Sequence, residues 1–182
     1  QLASAKILGV KDVRFLPFED GGMYDEVALR IEIAKVIAEI KPDVVIGPDH
    51  KLYPESHPDH LRVGEAVSKA YFMCSNVNMM KSVGATQIAK PTVLAYYFTG
   101  KPNRFVKITK KDFEKTKAAY ACFVSQCPPP DNGKSLMLYM RLKVRLNGLR
   151  SFHIRADAFR VMNNMHIHCC GEAEDTAIRR PL

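Results

Sequence analysis

The sequence predicts an α/β fold in which a mostly parallel sheet is covered by helices on both faces. Three observations point there. Segments of strand length and of helix length alternate over the first hundred residues, the order of βαβ units. The uninterrupted apolar run Asp43-Val44-Val45-Ile46-Gly47 follows a helical segment and precedes a polar loop, as a buried parallel strand does. The 182 residues are 47% hydrophobic and 25% charged, which is enough for about one domain with a core that needs no disulfide staples.

Each element has its own signal. Leu2, Ala3, Ala5, Ile7 and Leu8 have the spacing of the last turns of a helix, and Gly9 stands where a C-cap glycine belongs. A helix ending without a visible beginning reads as a chain that lacks its front. Residues 12–17 alternate as a strand, and Glu19-Asp20-Gly21-Gly22 is a turn. Tyr24 to Ile40 is the clearest helix, apolar over much of its surface and stopped by Lys41-Pro42. A second helix runs from His57 to Met73, and PTVLAYYF (Pro91 to Phe98) is a strand with which Arg104 to Ile108 can pair. Asp112 to Cys127 is helical, Pro128 to Gly133 breaks the chain, Ser135 to Leu149 is helical again, and Ala158 to His168 is a terminal strand or extended arm.

Composition removes several classes of function. There is no run of about 18 or more apolar residues and no secretory leader pattern, so no membrane partner is expected. Five irregularly spaced cysteines, two of them the adjacent Cys169-Cys170 pair, do not make a disulfide framework and fit a reducing, cytoplasmic setting. Charge is uneven: residues 1–100 carry 11 Lys+Arg against 12 Asp+Glu, and residues 101–182 carry 16 against 7. A basic half can face nucleic acid, anionic lipid or an acidic substrate. No zinc-finger spacing, helix-turn-helix or aromatic-interleaved basic motif supports nucleic acid.

In a sheet of this kind function sits in the loops leaving the C-terminal ends of the strands, here Glu19 to Met23 and Pro48 to His60. The second reads GPDHKLYPESHPDH from Gly47 and is dense in histidine and carboxylate. His57 and His60, three apart at a helix start, share one face, and Ser56 with Asp59 has the Ser-x-x-Asp capping pattern. Imidazoles held this way suit zinc, but HxxH supplies at most two of the three ligands a catalytic zinc needs. The bland reading is a capped helix with two surface histidines. The run His166-Ile167-His168-Cys169-Cys170 would place His166, His168 and Cys170 on one strand face; an extended tail with one histidine at a subunit interface is the expected reading.

The segment ESHPDH (Glu55 to His60) resembles the second signature of the PIG-L/LmbE family of zinc-dependent N-deacetylases. FEDGGM (Phe18 to Met23), KPDVVIGPD (Lys41 to Asp49), LAYYFTGKPN (Leu94 to Asn103) and ADAFRVM (Ala156 to Met162) resemble other segments of that family, most of all its archaeal branch, which includes diacetylchitobiose deacetylases. The resemblance covers roughly residues 1–168. It implies a Rossmann-like sheet in a single domain over 1–168 that lacks its first strand and HPDD loop, with 169–182 as a tail. It implies His60 as a Zn2+ ligand, His57 as the group that polarises or protonates the tetrahedral intermediate, and Asp59 as its orienting partner. Asp20 would contact substrate hydroxyls, and His168 would reach a neighbouring subunit's site in a homo-oligomer.

Two departures stand out. No HPDD precedes His57, so two zinc ligands and the water-activating carboxylate are missing, and Glu19 stands where archaeal members carry Arg. The expectation is a hydrolase that removes the acetyl group from an N-acetylglucosamine-type sugar, as a fragment inactive alone. The alternative is a catalytically dead relic or basic binding module for an anionic partner.

Overall fold

A computed structural model describes residues 1–53 and 55–168. In chain order the elements are α1 (Leu2–Leu8), α2 (Glu26–Ile40), β1 (Val44–Pro48), α3 (Pro58–Met73), α4 (Val77–Ser82), β2 (Val93–Tyr97), β3 (Arg104–Lys107), α5 (Lys110–Tyr120), α6 (Lys134–Arg150), β4 (Ala156–Asn163) and α7 (Asn164–Ile167), with one 3-10 turn at Val124–Gln126. The four strands follow the order β1-β2-β4-β3 in an open, helix-flanked sheet. β1 and β2 are parallel, with Val45 opposite Leu94, and β2 and β4 are antiparallel, with Leu94 opposite Met162. The α/β class read from the sequence is therefore the one observed.

The chain divides into two compact units, one of residues 1–15 with 105–157 and the other of residues 16–104 with 158–168. In the first, α1 packs on α5 and ends at Gly9, whose φ of 84° lets its N–H reach back to the Ala5 and Lys6 carbonyls. Thr109 and Asp112 close a reciprocal capping box at the start of α5.

The second unit holds the larger core. Ala34, Ile37 and Ala38 of α2, Val67, Ala70, Tyr71 and Met73 of α3, Val45 of β1 and Leu94 and Tyr96 of β2 are buried together. α3 crosses the end of β1 so closely that a Cβ on Gly64 would stand 2.5 Å from the Pro48 carbonyl oxygen. β1 is less buried than its apolar run predicts: Val45 and Gly47 face the core, while Val44 and Ile46 stay about half exposed.

Five local expectations change, the first being that the helix expected from Asp112 to Cys127 stops at Tyr120. Residues 12–17 are not a strand, because they pair with no ladder partner. α3 is capped by His57 rather than Ser56, since the His57 ring nitrogen accepts the Asp59 N–H. β3 lies beside β4 instead of pairing with β2, because β4 takes the free edge of β2. The terminal strand stops at Asn163, whose side chain caps the single helical turn of α7, so His166 and His168 lose their strand alternation. Cys169 and Cys170 lie outside the described residues.

Candidate active site

The two loops singled out in the sequence meet at the start of α3. The Asp59 carboxylate accepts the Gly21 N–H at 2.7 Å and the Tyr24 hydroxyl at 2.9 Å. Arg62, one turn further along α3, donates to the Gly22 carbonyl and at 3.4 Å to that of Tyr24. Gly22, at φ 73°, lies so close to Pro58 that a Cβ would meet the Pro58 Cβ at 2.8 Å. Glycine is needed there for both the backbone angle and the approach. The Gly21 N–H is the main reason the Asp59 carboxyl is drawn down to about 2. Burial, helped by the Asp59 charge, pushes the Tyr24 phenol up to about 12. The Asp20 side chain adjoins that of Asp59, so the expected sugar-contacting carboxylate stands beside the α3 terminus.

Asp59 thus ties the glycine loop to α3. Its nearer oxygen is 3.8 Å from His57 Nδ1, and its hydrogen bonds go to the loop; His57 is oriented by the backbone N–H of Asp59 at 3.3 Å.

Glu55 is the residue the sequence reading left without a role. One carboxylate oxygen accepts the Ser56 and His57 backbone N–H groups at 2.9 and 2.8 Å, satisfying donors at the helix start. The other lies 2.8 Å from His60 Nδ1. The His60 contact, with these N–H groups, holds the Glu55 carboxyl down to about 2, so Glu55 is the acceptor and His60 Nδ1 carries the proton. The signal was present as a carboxylate five residues before the second histidine.

The two imidazoles stack, ring centres 4.7 Å apart and planes at 25°. Their hydrogen bonds set opposite tautomers when both are neutral. His57 accepts at Nδ1, so Nε2 bears its proton; His60 donates from Nδ1, so Nε2 offers a lone pair. Phe98, which follows β2 with a left-handed φ of 51°, brings its ring to 6.0 Å from that of His60 and 4.9 Å from that of Tyr97. An aromatic wall therefore stands next to the imidazole pair.

Behind the loop, Asp49 and Arg160 form a buried ion pair, and the Arg160 guanidinium lies 4.4 Å from the Tyr96 ring centre. His50 is edge-on to Tyr96, its Nδ1 buried without a hydrogen-bond partner, and burial lowers its pKa.

His168 is not brought to this pair. Its ring stacks on Phe72, 5.4 Å away and 4° from parallel, and lines a cavity of about 270 Å3 with Tyr71, Ser75, Lys90 and Asn164. That cavity adjoins Pro91, ahead of β2, whereas Phe98 and the imidazoles lie past the strand's other end. Among the described residues no group of three His, Cys, Asp or Glu side chains could hold a metal ion.

Residues 1–71 match the family model described as PIG-L: GlcNAc-PI de-N-acetylase. The diacetylchitobiose deacetylase of Thermococcus kodakarensis is 33% identical over 171 residues, which is 92% of this chain and 62% of that protein. The chain therefore spans less than two thirds of that relative. The solved N,N'-diacetylchitobiose deacetylase of Pyrococcus horikoshii, in complex with its inhibitor MPG, superposes with a TM-score of 0.82 at 26% identity, covering 96% of this chain and 66% of that one. The conserved protein TT1542 of Thermus thermophilus shares the fold alone, with a TM-score of 0.69 at 23% identity over 87% of this chain and 68% of its own. The family match over residues 1–71, the archaeal relative and the common fold agree with the signature around His57 and His60 in their likeness to the PIG-L family.

Proposed function

We propose that this chain belongs to an N-deacetylase that hydrolyses the acetamide of an N-acetylglucosamine-type sugar, and that His57 and His60 are its working imidazoles. The observation that carries the reading is the opposite partners of their Nδ1 atoms, the Asp59 N–H at His57 and the Glu55 carboxylate at His60, which call for opposite tautomers. His57 presents an Nε2–H that donates a hydrogen bond to the developing oxyanion. Asp59 holds the glycine loop, and Asp20 with it, where sugar hydroxyls would bind. Diacetylchitobiose, named for the archaeal relatives, is the substrate to try first.

Zinc is the metal this family implies. The observation that bears on it is His60: an imidazole whose Nδ1–H is bound by a carboxylate has the form in which histidine ligates zinc through Nε2. The described residues supply that one ligand and no group of three donors, so they do not make up a zinc site by themselves. What they carry out is orientation of substrate and donation of a hydrogen bond from His57 Nε2 to the developing oxyanion. The remaining donors come from outside the described residues, and the 182-residue chain by itself gives no sustained turnover. His168 serves a second copy of the chain in a homo-oligomer working in the cytoplasm.

Two measurements test this. Long-range nitrogen–proton NMR should find His60 protonated at Nδ1 and His57 at Nε2 at neutral pH; the reverse pattern in either ring refutes the assigned roles. Acetate release from diacetylchitobiose by the chain alone, with zinc added, should be absent. Robust zinc-dependent release would refute the claim that the donor set is incomplete, and its survival in His60→Ala would refute the ligand role.

A further inference from the structure

α6 carries an exposed apolar stripe on the side opposite its buried one. Val144, Asn147 and Gly148 on its inner side are buried. On the other side Leu138, Tyr139, Leu142, Leu146 and Leu149 are 57–77% exposed. At about 100° per residue these five fall within an arc of roughly 100°, a stripe along the whole helix. Basic residues border it on both sides: Lys134, Arg141 and Arg145 along one edge, Lys143 and Arg150 along the other. Lys143 carries its ammonium 6.0 Å from the Tyr139 ring centre, and Arg150 lies over the ring of Phe105. The helix contains no acidic residue, and Asp131 just ahead of it is occupied with Ser135. Past the helix end the chain exposes Phe152 (98%) and Ile154 (82%), followed by Arg155.

We propose that this face of α6 docks on an anionic lipid surface, its leucines and Tyr139 entering the headgroup–acyl boundary while the flanking lysine and arginine side chains meet lipid phosphates. Charge complementarity selects the occupant. A second copy joined through the same stripe would set Arg141 and Arg145 against like charges. A polynucleotide would engage the bases and leave five large apolar side chains in water. A bilayer surface bearing acidic headgroups takes both components at once, as interfacial amphipathic helices do. None of this requires a spanning segment, and no helix among the described residues is long and apolar enough to cross a membrane. The proposal is independent of the deacetylase reading.

The test is co-sedimentation of the whole chain with vesicles of phosphatidylglycerol and phosphatidylcholine in equal parts, against vesicles of phosphatidylcholine alone. The chain should pellet with the anionic vesicles and be released by added salt. The double variant Leu142→Glu/Leu146→Glu should weaken the association at least about tenfold, and Arg141→Glu/Arg145→Glu should abolish the preference for anionic vesicles. All four positions face solvent, so the circular dichroism melt should stay that of the parent chain. Equal pelleting with neutral vesicles, no pelleting at low salt, or unchanged pelleting of the leucine variant would each overturn the proposal. So would a dimer in sedimentation velocity that Leu142→Glu/Leu146→Glu dissociates without vesicle binding, which would give the stripe to a second copy.

Discussion

Arg160 on β4 holds Asp49, the first residue after β1, by reaching across the intervening strand β2. Its Nε donates to Asp49 Oδ2 at 2.9 Å and its Nη2 to Oδ1, while its guanidinium stacks over Tyr96. The register explains the reach: Gly47, Tyr96 and Arg160 sit side by side on β1, β2 and β4. The pair anchors the origin of the loop that carries His57 and His60.

Removing one partner should therefore unfold more than it loosens. Both side chains are largely buried, so Asp49→Asn or Arg160→Met leaves a charge without its partner and should cost about 3–5 kcal/mol in urea unfolding. Burial acts to raise the Asp49 pKa, but Arg160, Thr99 and the Lys51 N–H outweigh it and keep it below the ordinary 3.8. A depressed folded pKa gives stability that is present above the unfolded value and lost as pH falls below it. The parent chain should lose stability below about pH 4 more steeply than Asp49→Asn does. Parallel pH dependences would show that the pair is not the source.

Asp59 is expected to act on the glycine loop as much as on His57. In Asp59→Asn the charge-assisted bonds to Gly21 N–H and Tyr24 OH weaken. The Gly21 amide should exchange with deuterium faster, and the Tyr24 phenol should titrate below its present value of about 12. It should not return fully to 10.0, because burial, the larger cause, remains. The sign for stability follows from the raised pKa: the contribution is whole below 10 and disappears as pH climbs towards 12. Unchanged exchange at Gly21 would mean that Arg62 alone holds the loop.

Gly64 and Gly100 make a controlled pair. Alanine at Gly64 would put its Cβ 2.5 Å from the Pro48 carbonyl oxygen, backbone that cannot step aside without moving β1 or α3. Gly64→Ala should cost about 1–3 kcal/mol or more. At Gly100 the nearest atom is Leu52 Cδ1 at 3.7 Å, and the substitution should stay within about 0.5 kcal/mol of the parent. Similar urea midpoints for the two variants would contradict the close crossing of α3 over β1.

What the sequence disclosed and what it concealed divide along physical lines. α1 with its Gly9 cap, α2 with its stop at Lys41-Pro42, β1, α3 and β2 were legible because period, breakers and caps are local signals. Residues 12–17 alternate like a strand but find no partner, and pairing is not a local property. The placement of β3 beside β4 depends on which strand reaches β2 first, which chain-local patterns do not encode. Within the site, His57, Asp59 and His60 stood out by type and spacing. Tyr24 and Arg62 did not, because their roles come from hydrogen bonds between segments some forty residues apart, whereas Glu55 lies only five residues before the His60 it holds and its signal was present but unread.

Cys74 should be chemically silent in the native protein. It is wholly buried in the core between α3 and β2, its Sγ donating to the Tyr71 carbonyl at 3.1 Å, and burial lifts the thiol to about 11. Cys122 and Cys127 are only partly buried. The thiolate is the nucleophile, so a thiol lifted to about 11 and closed off from solvent reacts slowly at about pH 8. Timed iodoacetamide labelling read by peptide mass spectrometry should modify Cys122 and Cys127 while Cys74 stays free, and denaturant should make all three react alike. Labelling of Cys74 at the pace of Cys127 under native conditions would mean that the core between α3 and β2 opens far more often than its packing allows.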